Sequence, residues 1–360
     1  MLKRVKSGGA LKKSLKLIAV AASLTLITGV AVAPSAQAAK IKLCLALDTG
    51  GVDDRSFNQG AWEGAKSSSG FADAEYLAAA SSADFAPNIK KFVDKGCDLI
   101  VGVGFAISAE IVKSAKANPK IKYAVVDDAG EDCDANFNCK PVANVKGLTF
   151  QTDEAAFMAG YLAAGVSRTG KVATYGGAPY PSVTIFMDGY ARGVAYYNKQ
   201  KGKSVKVLGW DPANPKSGTF VGNFSDQTKA LTISKGFEQQ GADIILPVGG
   251  NLGAPYAAES EKSKKSLTIW VDSDGYGLLT AGKSILLTTV VKDIGASIKS
   301  VAKDVADKKF TGTKYVGTLK NKGISMAPYH DQSSRVPGAL KLEVRKIRDA
   351  IIAGTLKVNA

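Results

Sequence analysis

Histidine is almost missing from this 360-residue sequence, which has one, His330. A zinc centre built on several imidazoles is therefore excluded, and a serine or cysteine triad would depend wholly on that residue. His330 stands in Pro328-Tyr329-His330-Asp331, a setting that suits a structural histidine better than a catalytic one. Cysteine is scarce too, at four, and no Cys-x-x-Cys occurs, so metal and thiol-redox chemistry lose their usual scaffold. There is no solenoid period, no low-complexity tract and no long linker. The turn Pro247-Val-Gly-Gly-Asn-Leu-Gly253 lacks the Lys-Ser/Thr of a Walker loop, and Gly102-Val-Gly-Phe-Ala106 lacks the third glycine of a dinucleotide fingerprint.

Positive charge is what the chain has in excess. There are 47 Lys and Arg against 32 Asp and Glu, a formal +15, which at first points to nucleic acid or a membrane surface. Six of the cations (Lys3, Arg4, Lys6, Lys12, Lys13, Lys16) stand at the N-terminus with no acid among them. An uncharged, mostly apolar run over 17–32 follows, then Pro34 and the small-x-small sequence Ala36-Gln37-Ala38. This is the pattern of a secretory signal peptide covering residues 1–38, the alternative being a retained anchor of marginal length. Its removal leaves 41 cations against 32 acids, or +9. The expected location is exported, periplasmic or at the cell surface. No cysteine follows a Leu-x-Ala/Gly at the signal's end, so there is no lipobox. In an exported chain Cys133 and Cys139, which bracket a five-residue loop, are expected to form a disulfide. Cys44 and Cys97 would pair only if their strands are neighbours.

After Lys40, short β-branched apolar runs alternate with amphipathic stretches of ten or more residues, the rhythm of βαβ units. The pattern predicts strands over 41–47, 98–102, 123–126, 145–150, 171–175, 205–208, 243–247, 267–271 and 285–291. It predicts helices over 57–66, 86–95, 108–117, 153–166, 182–199, 226–240, 255–264, 294–308 and 340–353. Nine parallel strands are more economically divided between two doubly wound α/β lobes than held in one sheet. The expected division gives 39–150 with about 275–315 to an N-terminal lobe, and 151–274 with about 316–360 to a C-terminal one.

In open α/β sheets ligands bind beyond the carboxyl ends of the strands. Three predicted strand ends carry acids: Asp48, Asp127-Asp128 and Asp272. Each could instead cap the next helix, and Asp53 or Asp54 reads as a plain cap. Phe57, in the first turn of its helix, and Phe186, on a helix of the second half, are candidates either for core packing or for clamping a planar ring. The glycines at 249–250 allow close backbone approach, and Lys292 at a strand end could reach a hydroxyl or carbonyl, its alternative being a solvated face. Nothing assembles a nucleophile with a base, so recognition rather than catalysis is expected, with no cofactor.

The run Asp48-Thr-Gly-Gly-Val-Asp-Asp-Arg-Ser-Phe-Asn-Gln-Gly-Ala-Trp-Glu-Gly64 resembles the opening motif of the basic membrane protein family, ABC-transporter substrate-binding lipoproteins whose characterised members bind purine nucleosides. Collinear matches follow at Gly147-Leu-Thr-Phe150, Glu154-Ala-Ala-Phe-Met-Ala-Gly-Tyr-Leu162, Gly176-Gly177, Gly189-Tyr-Ala-Arg-Gly193, Gly249-Gly250, Val271-Asp-Ser-Asp274 and Val290-Val-Lys292. The resemblance implies a type I periplasmic-binding-protein fold, with ligand closed between two lobes joined by three crossings. It implies that Phe57 and Phe186 sandwich a base whose edge bonds to Asn58 and Asp128. Asp48, Gly250, Asp272 and Lys292 then hold the sugar. A neutral nucleoside suits so many carboxylates better than a nucleotide. The implied partners are an ABC permease and its ATPase, with no nucleic acid, and the chain is expected to be a monomer. The sequence departs from the family's pattern in lacking the lipobox, and in having no charged pair in Ala178-Pro-Tyr-Pro-Ser-Val-Thr-Ile185. The alternatives are a binder of sugars or another small polar ligand, a secreted nucleoside-processing enzyme, and a sensing module without transport.

Overall fold

The structure, a computed structural model, describes residues 39–136 and 138–359. The signal peptide expected over 1–38 lies outside the described residues. The chain runs through β1 (Ile41–Leu47), α1 (Phe57–Lys66), β2 (Ala72–Ala78), α2 (Phe85–Asp94), β3 (Leu99–Val103), α3 (Ser108–Ala117) and β4 (Lys122–Val126). A short hairpin, β5 (Glu131–Cys133) and β6 (Cys139–Pro141), precedes β7 (Val145–Phe150). A second series follows: α4 (Thr152–Val166), β8 (Lys171–Gly176), α5 (Pro181–Lys201), β9 (Lys206–Leu208), α6 (Gln227–Gln239), β10 (Ile244–Val248), α7 (Ala254–Ser263), β11 (Leu267–Asp272), α8 (Gly275–Leu278) and β12 (Leu286–Lys292). The chain ends with α9 (Ile294–Ala306), β13 (Tyr315–Gly317), β14 (Ile324–Met326) and α10 (Gly338–Ile352).

Two six-stranded sheets share one plan, β13-β7-β4-β3-β1-β2 and β14-β12-β11-β10-β8-β9. Every pairing in them is parallel except β12 with β14. Central strands such as β3 and β10 are buried along their whole length, as strands covered by helices on both faces must be. The sequence pattern misses β2, β13 and β14 for the complementary reason. All three are edge strands, and β2, with its Asp73 and Glu75, is mostly open to solvent, so no continuous apolar run marks it.

The chain passes between the lobes three times: after β7, after β12 and between β13 and β14. The crossings are bonded to one another, Gln151 N donating to Gly317 O at 2.8 Å and Asp293 N to Gly323 O at 2.9 Å. The lobe boundary expected near 275 is thereby corrected to Asp293. β12 pairs along β11 in the second sheet, and only with α9, which packs on α1, does the chain rejoin the first lobe. The return expected near 316 comes just after β13, whose Gly317 still pairs with Phe150 of the first sheet.

Cysteine placement follows from strand order. Cys44 on β1 and Cys97 just before β3 are joined, as neighbouring strands allow, and Cys133 and Cys139 close the β5–β6 hairpin.

The second lobe is built around a tight α4–α5 pair. A Cβ on Gly160 would lie 2.0 Å from Tyr190 O, and one on Gly193 would lie 2.0 Å from Phe157 O, so each helix needs hydrogen where it meets the other's backbone. Gly160→Ala is expected to destabilise the protein by about 1–3 kcal/mol in urea unfolding. Gly236→Ala on α6, where nothing lies within 4 Å of the new methyl, should instead stabilise it by roughly 0.5–1 kcal/mol through helix propensity.

Candidate functional site

The carboxyl ends of both sheets face one cleft, of about 590 Å³ including its open mouth. Three local devices shape it. Asp48, one residue past β1, folds its carboxylate back onto Thr49 N at 2.6 Å, and Gly104 must be glycine because a Cβ there would lie 2.5 Å from Asp48 Oδ2. Asp54 caps α1 by accepting from the amides of Ser56, Asn58 and Gln59 at 2.8–3.0 Å, which aims Phe57 and Asn58 from the helix start. On the other lobe, Gly250 adopts φ +53°, and a Cβ added there would lie 3.3 Å from Asp54 Oδ2.

At the cleft floor, Asp127 and Asp272 occupy corresponding places, just after β4 and at the end of β11, and both have left-handed backbone, φ +70° and +66°. The Lys292 ammonium sits between them, 2.9 Å from Asp127 Oδ2 and 3.1 Å from Asp272 Oδ1, with its side chain only 3% exposed. It also lies 4.7 Å from the centre of the Phe57 ring and 5.4 Å from that of Phe186, which places the two rings around one cation. Burial alone would depress the lysine's pKa, but the two carboxylates outweigh it and hold it above its ordinary value. Burial lifts the Asp127 and Asp48 carboxyls, and pushes Asp54 up to about 6, with Asp272 adding to the Asp54 lift.

The lobes also meet directly. Ser56 Oγ donates to Val271 O at 2.8 Å and to Asp272 Oδ2 at 3.1 Å, Ser273 Oγ returns a bond to Ser56 O at 2.9 Å, and Trp270 Nε1 reaches Arg55 O at 3.2 Å.

Of the residues expected at the site, Asp48, Phe57, Asn58, Phe186, Gly250, Asp272 and Lys292 all line this cleft. Asp128 lines a neighbouring depression that shares Phe105 and Tyr180 with the cleft, while Asp127, beside it in sequence, lines the cleft itself. Asp127 has left-handed backbone, and the next residue, Asp128, accepts from Ser108 Oγ at 2.6 Å and Gly130 N at 2.8 Å. Asp54 is a cap, as read, but it lines the cleft as well. Phe105 of the first lobe, which no sequence pattern marks, meets Tyr180 of the second with ring centres 5.2 Å apart, and Phe224 continues the cluster within the second lobe 6.0 Å from Tyr180. Asn251 was also missed. Its Oδ1 and that of Asn58 are buried without a partner, the Asn58 amide having turned its nitrogen toward Thr49 O. His330 lies outside the cleft, bonded to Asp274 at 2.8 Å and stacked on Tyr276. One further run, 277–284, has the Gly-x-x-x-x-Gly-Lys-Ser spacing of a phosphate loop. It does not open a long helix, and the Glu261 carboxylate already takes Gly282 N, Ser284 N and Ser284 Oγ.

Such a cleft offers aromatic faces and many acceptors, which suits a flat ligand carrying hydroxyl and amino donors. Residues 41–360 match the family described as ABC transporter substrate-binding protein, PnrA-like. The chain belongs to this family. It is 28% identical to the ABC transporter nucleoside-binding protein BmpA of Lactococcus lactis, over 88% of this chain and 89% of that one. It is 30% identical to basic membrane protein A1 of Borrelia garinii, over 86% of each. A solute-binding protein of an ABC transporter system from Aeropyrum pernix shares the fold, with a TM-score of 0.76 at 23% identity over 88% of this chain and 92% of that one. The fold is thus the two-lobed type I periplasmic binding fold. The family's role is extracytoplasmic substrate binding for an ABC importer, not catalysis.

Asp54 gives a pH signature. Its folded pKa of about 6 lies above that of an unfolded aspartate, so the folded state holds the extra proton. The contribution to stability is present below pH ~4 and is lost as pH rises through about 6. Urea unfolding should show the protein losing up to ~3 kcal/mol relative to Asp54→Asn between pH ~4 and ~7. A constant difference between the two proteins across that range would refute the assignment.

Proposed function

We propose that this protein, exported and acting as a monomer, captures a purine nucleoside in the cleft and delivers it to a membrane permease driven by a cytoplasmic ATPase. One observation carries the reading: Phe57 and Phe186, from opposite lobes, surround a single braced ammonium, with carboxylates on the floor between them. A base enters between the rings, and the ribose hydroxyls, being donors, meet Asp48, Asp127 and Asp272. The acceptors of Asn58 and Asn251 take donors of the base. Phosphates are disfavoured, because four buried acids line the cleft against one lysine that is already paired. The name of the Lactococcus lactis relative supports the same ligand class.

Calorimetry against adenosine, guanosine, inosine, uridine, ribose and free bases tests the reading. Binding of a purine nucleoside is expected; a response to ribose alone, or to none, rejects it. Phe57→Ala should weaken nucleoside binding by roughly 5- to 100-fold, the loss of one stacked face, with the fold intact by circular dichroism. Asp127→Asn should weaken binding while Asp128→Asn leaves it unchanged; the opposite order would restore Asp128 to the site.

A further inference from the structure

Tyr180 stands between two prolines, Pro179 and Pro181, at the start of α5. Proline fixes its own φ and holds the residue before it extended, so the backbone at Tyr180, with φ −83° and ψ +147°, has little freedom. Its carbonyl is held too, accepting from Val183 N and Thr184 N at 2.9 Å each. Behind the tyrosine ring is Phe224, 6.0 Å away between centres, and it has no room to retreat, because a Cβ on Gly177 would lie 2.4 Å from the Phe224 ring. Facing Tyr180 from the first lobe, with ring centres 5.2 Å apart, is Phe105. It follows Gly104, whose φ of +124° and missing Cβ let the chain pass close to the Asp48 carboxylate. Each ring is thus presented by tightly held backbone. Two concavities meet at this pair. One is the cleft; the other, of about 1420 Å³ including its open side, is lined by Ala106, Ala109 and Val112 as well as by Asp128. Phe105 and Tyr180 line both, and among the described residues no other does. They are the partition between the two spaces.

We propose that the Phe105–Tyr180 pair is a specificity wall, which ends the cleft at the 5′ side of the ribose and restricts the ligand to nucleosides with no bulky group on the 5′ oxygen. The inference rests on the nucleoside reading. In that reading Asp48 meets the ribose, and Asp48 packs on Gly104, immediately before Phe105, so the wall stands at the sugar end of the ligand. The vicinal 2′ and 3′ hydroxyls are the donors that carboxylates can take together, which leaves the exocyclic C5′ to face the rings. A site rejects a near-relative of its ligand most sharply by a clash that it cannot relieve, and a wall held by prolines on one lobe and backed by a packed phenylalanine supplies one. This exclusion is steric and adds to the repulsion of phosphates by the carboxylates.

The test is calorimetry with adenosine, guanosine and inosine, each against the same nucleoside carrying a benzyl ether on its 5′ oxygen. The ethers are neutral, so charge plays no part in the comparison. The native protein is expected to bind a parent nucleoside and to reject its ether. Tyr180→Ala should raise the ratio of affinities, ether over parent, by at least about tenfold, because the benzyl ring fills the space that the tyrosine ring leaves. Phe105→Ala, on the other lobe, should shift the ratio in the same direction, whereas Tyr180→Phe, which keeps the ring, should leave the ratio where it is. A general loss of closure or stability weakens parent and ether alike and does not move the ratio. Should Tyr180→Ala not fold, Phe105→Ala carries the same expectation. If a parent binds but neither truncation changes the ratio, or if the native protein takes the ether as readily as the parent, the wall is overturned and the nucleoside reading stands. If none of the three parents binds, both fall.

Discussion

The buried ammonium of Lys292 is the point at which the two lobes answer to each other. It stands at the last residue of β12, immediately before the chain crosses between lobes, and its two carboxylates come one from each sheet. Removing either carboxylate would leave a charge in a dry place, which is far costlier than the pair's net contribution. The left-handed backbone at Asp127 and Asp272 follows from the same demand, since both strands must turn sharply to point a carboxylate at one shared atom. The duplicated lobes therefore share one electrostatic centre instead of having one each.

Around that centre the cleft is built to accept hydrogen bonds. Lys292 is committed to its acids, the Asp54 carboxylate to the start of α1, and the Oδ1 atoms of Asn58 and Asn251 are buried without a hydrogen-bond partner. A buried acceptor without a donor costs free energy, so a ligand rich in donors relieves a cost the empty cleft carries. In the proposed function, selectivity against phosphates arises from that same surplus.

Much of this was legible in the sequence, because parallel strands buried on both faces announce themselves as apolar runs and the acids at their ends mark the ligand side. What was hidden depended on a single residue or on distant company. Whether Asp127 or Asp128 enters the cleft is decided by one backbone torsion at a strand end, which composition does not encode. Phe105, Tyr180 and Phe224 lie on three separate connections, and Phe105 meets the other two only once the lobes are assembled. Cys44 and Cys97 were undecidable until β1 and β3 proved adjacent. The crossing at Asp293 was misplaced because the run 285–291 reads equally well as a strand of either sheet.

The three bonded crossings also restrict how such a molecule can move. Connections that hydrogen-bond to one another behave like the leaves of a flexure: they bend together about one axis and resist sliding or twisting. Bending about that axis would keep the lobes in register. In the proposed function, a ligand is therefore met each time by the same pairing of the two phenylalanines, because the guidance lies in the hinge and not in the ligand.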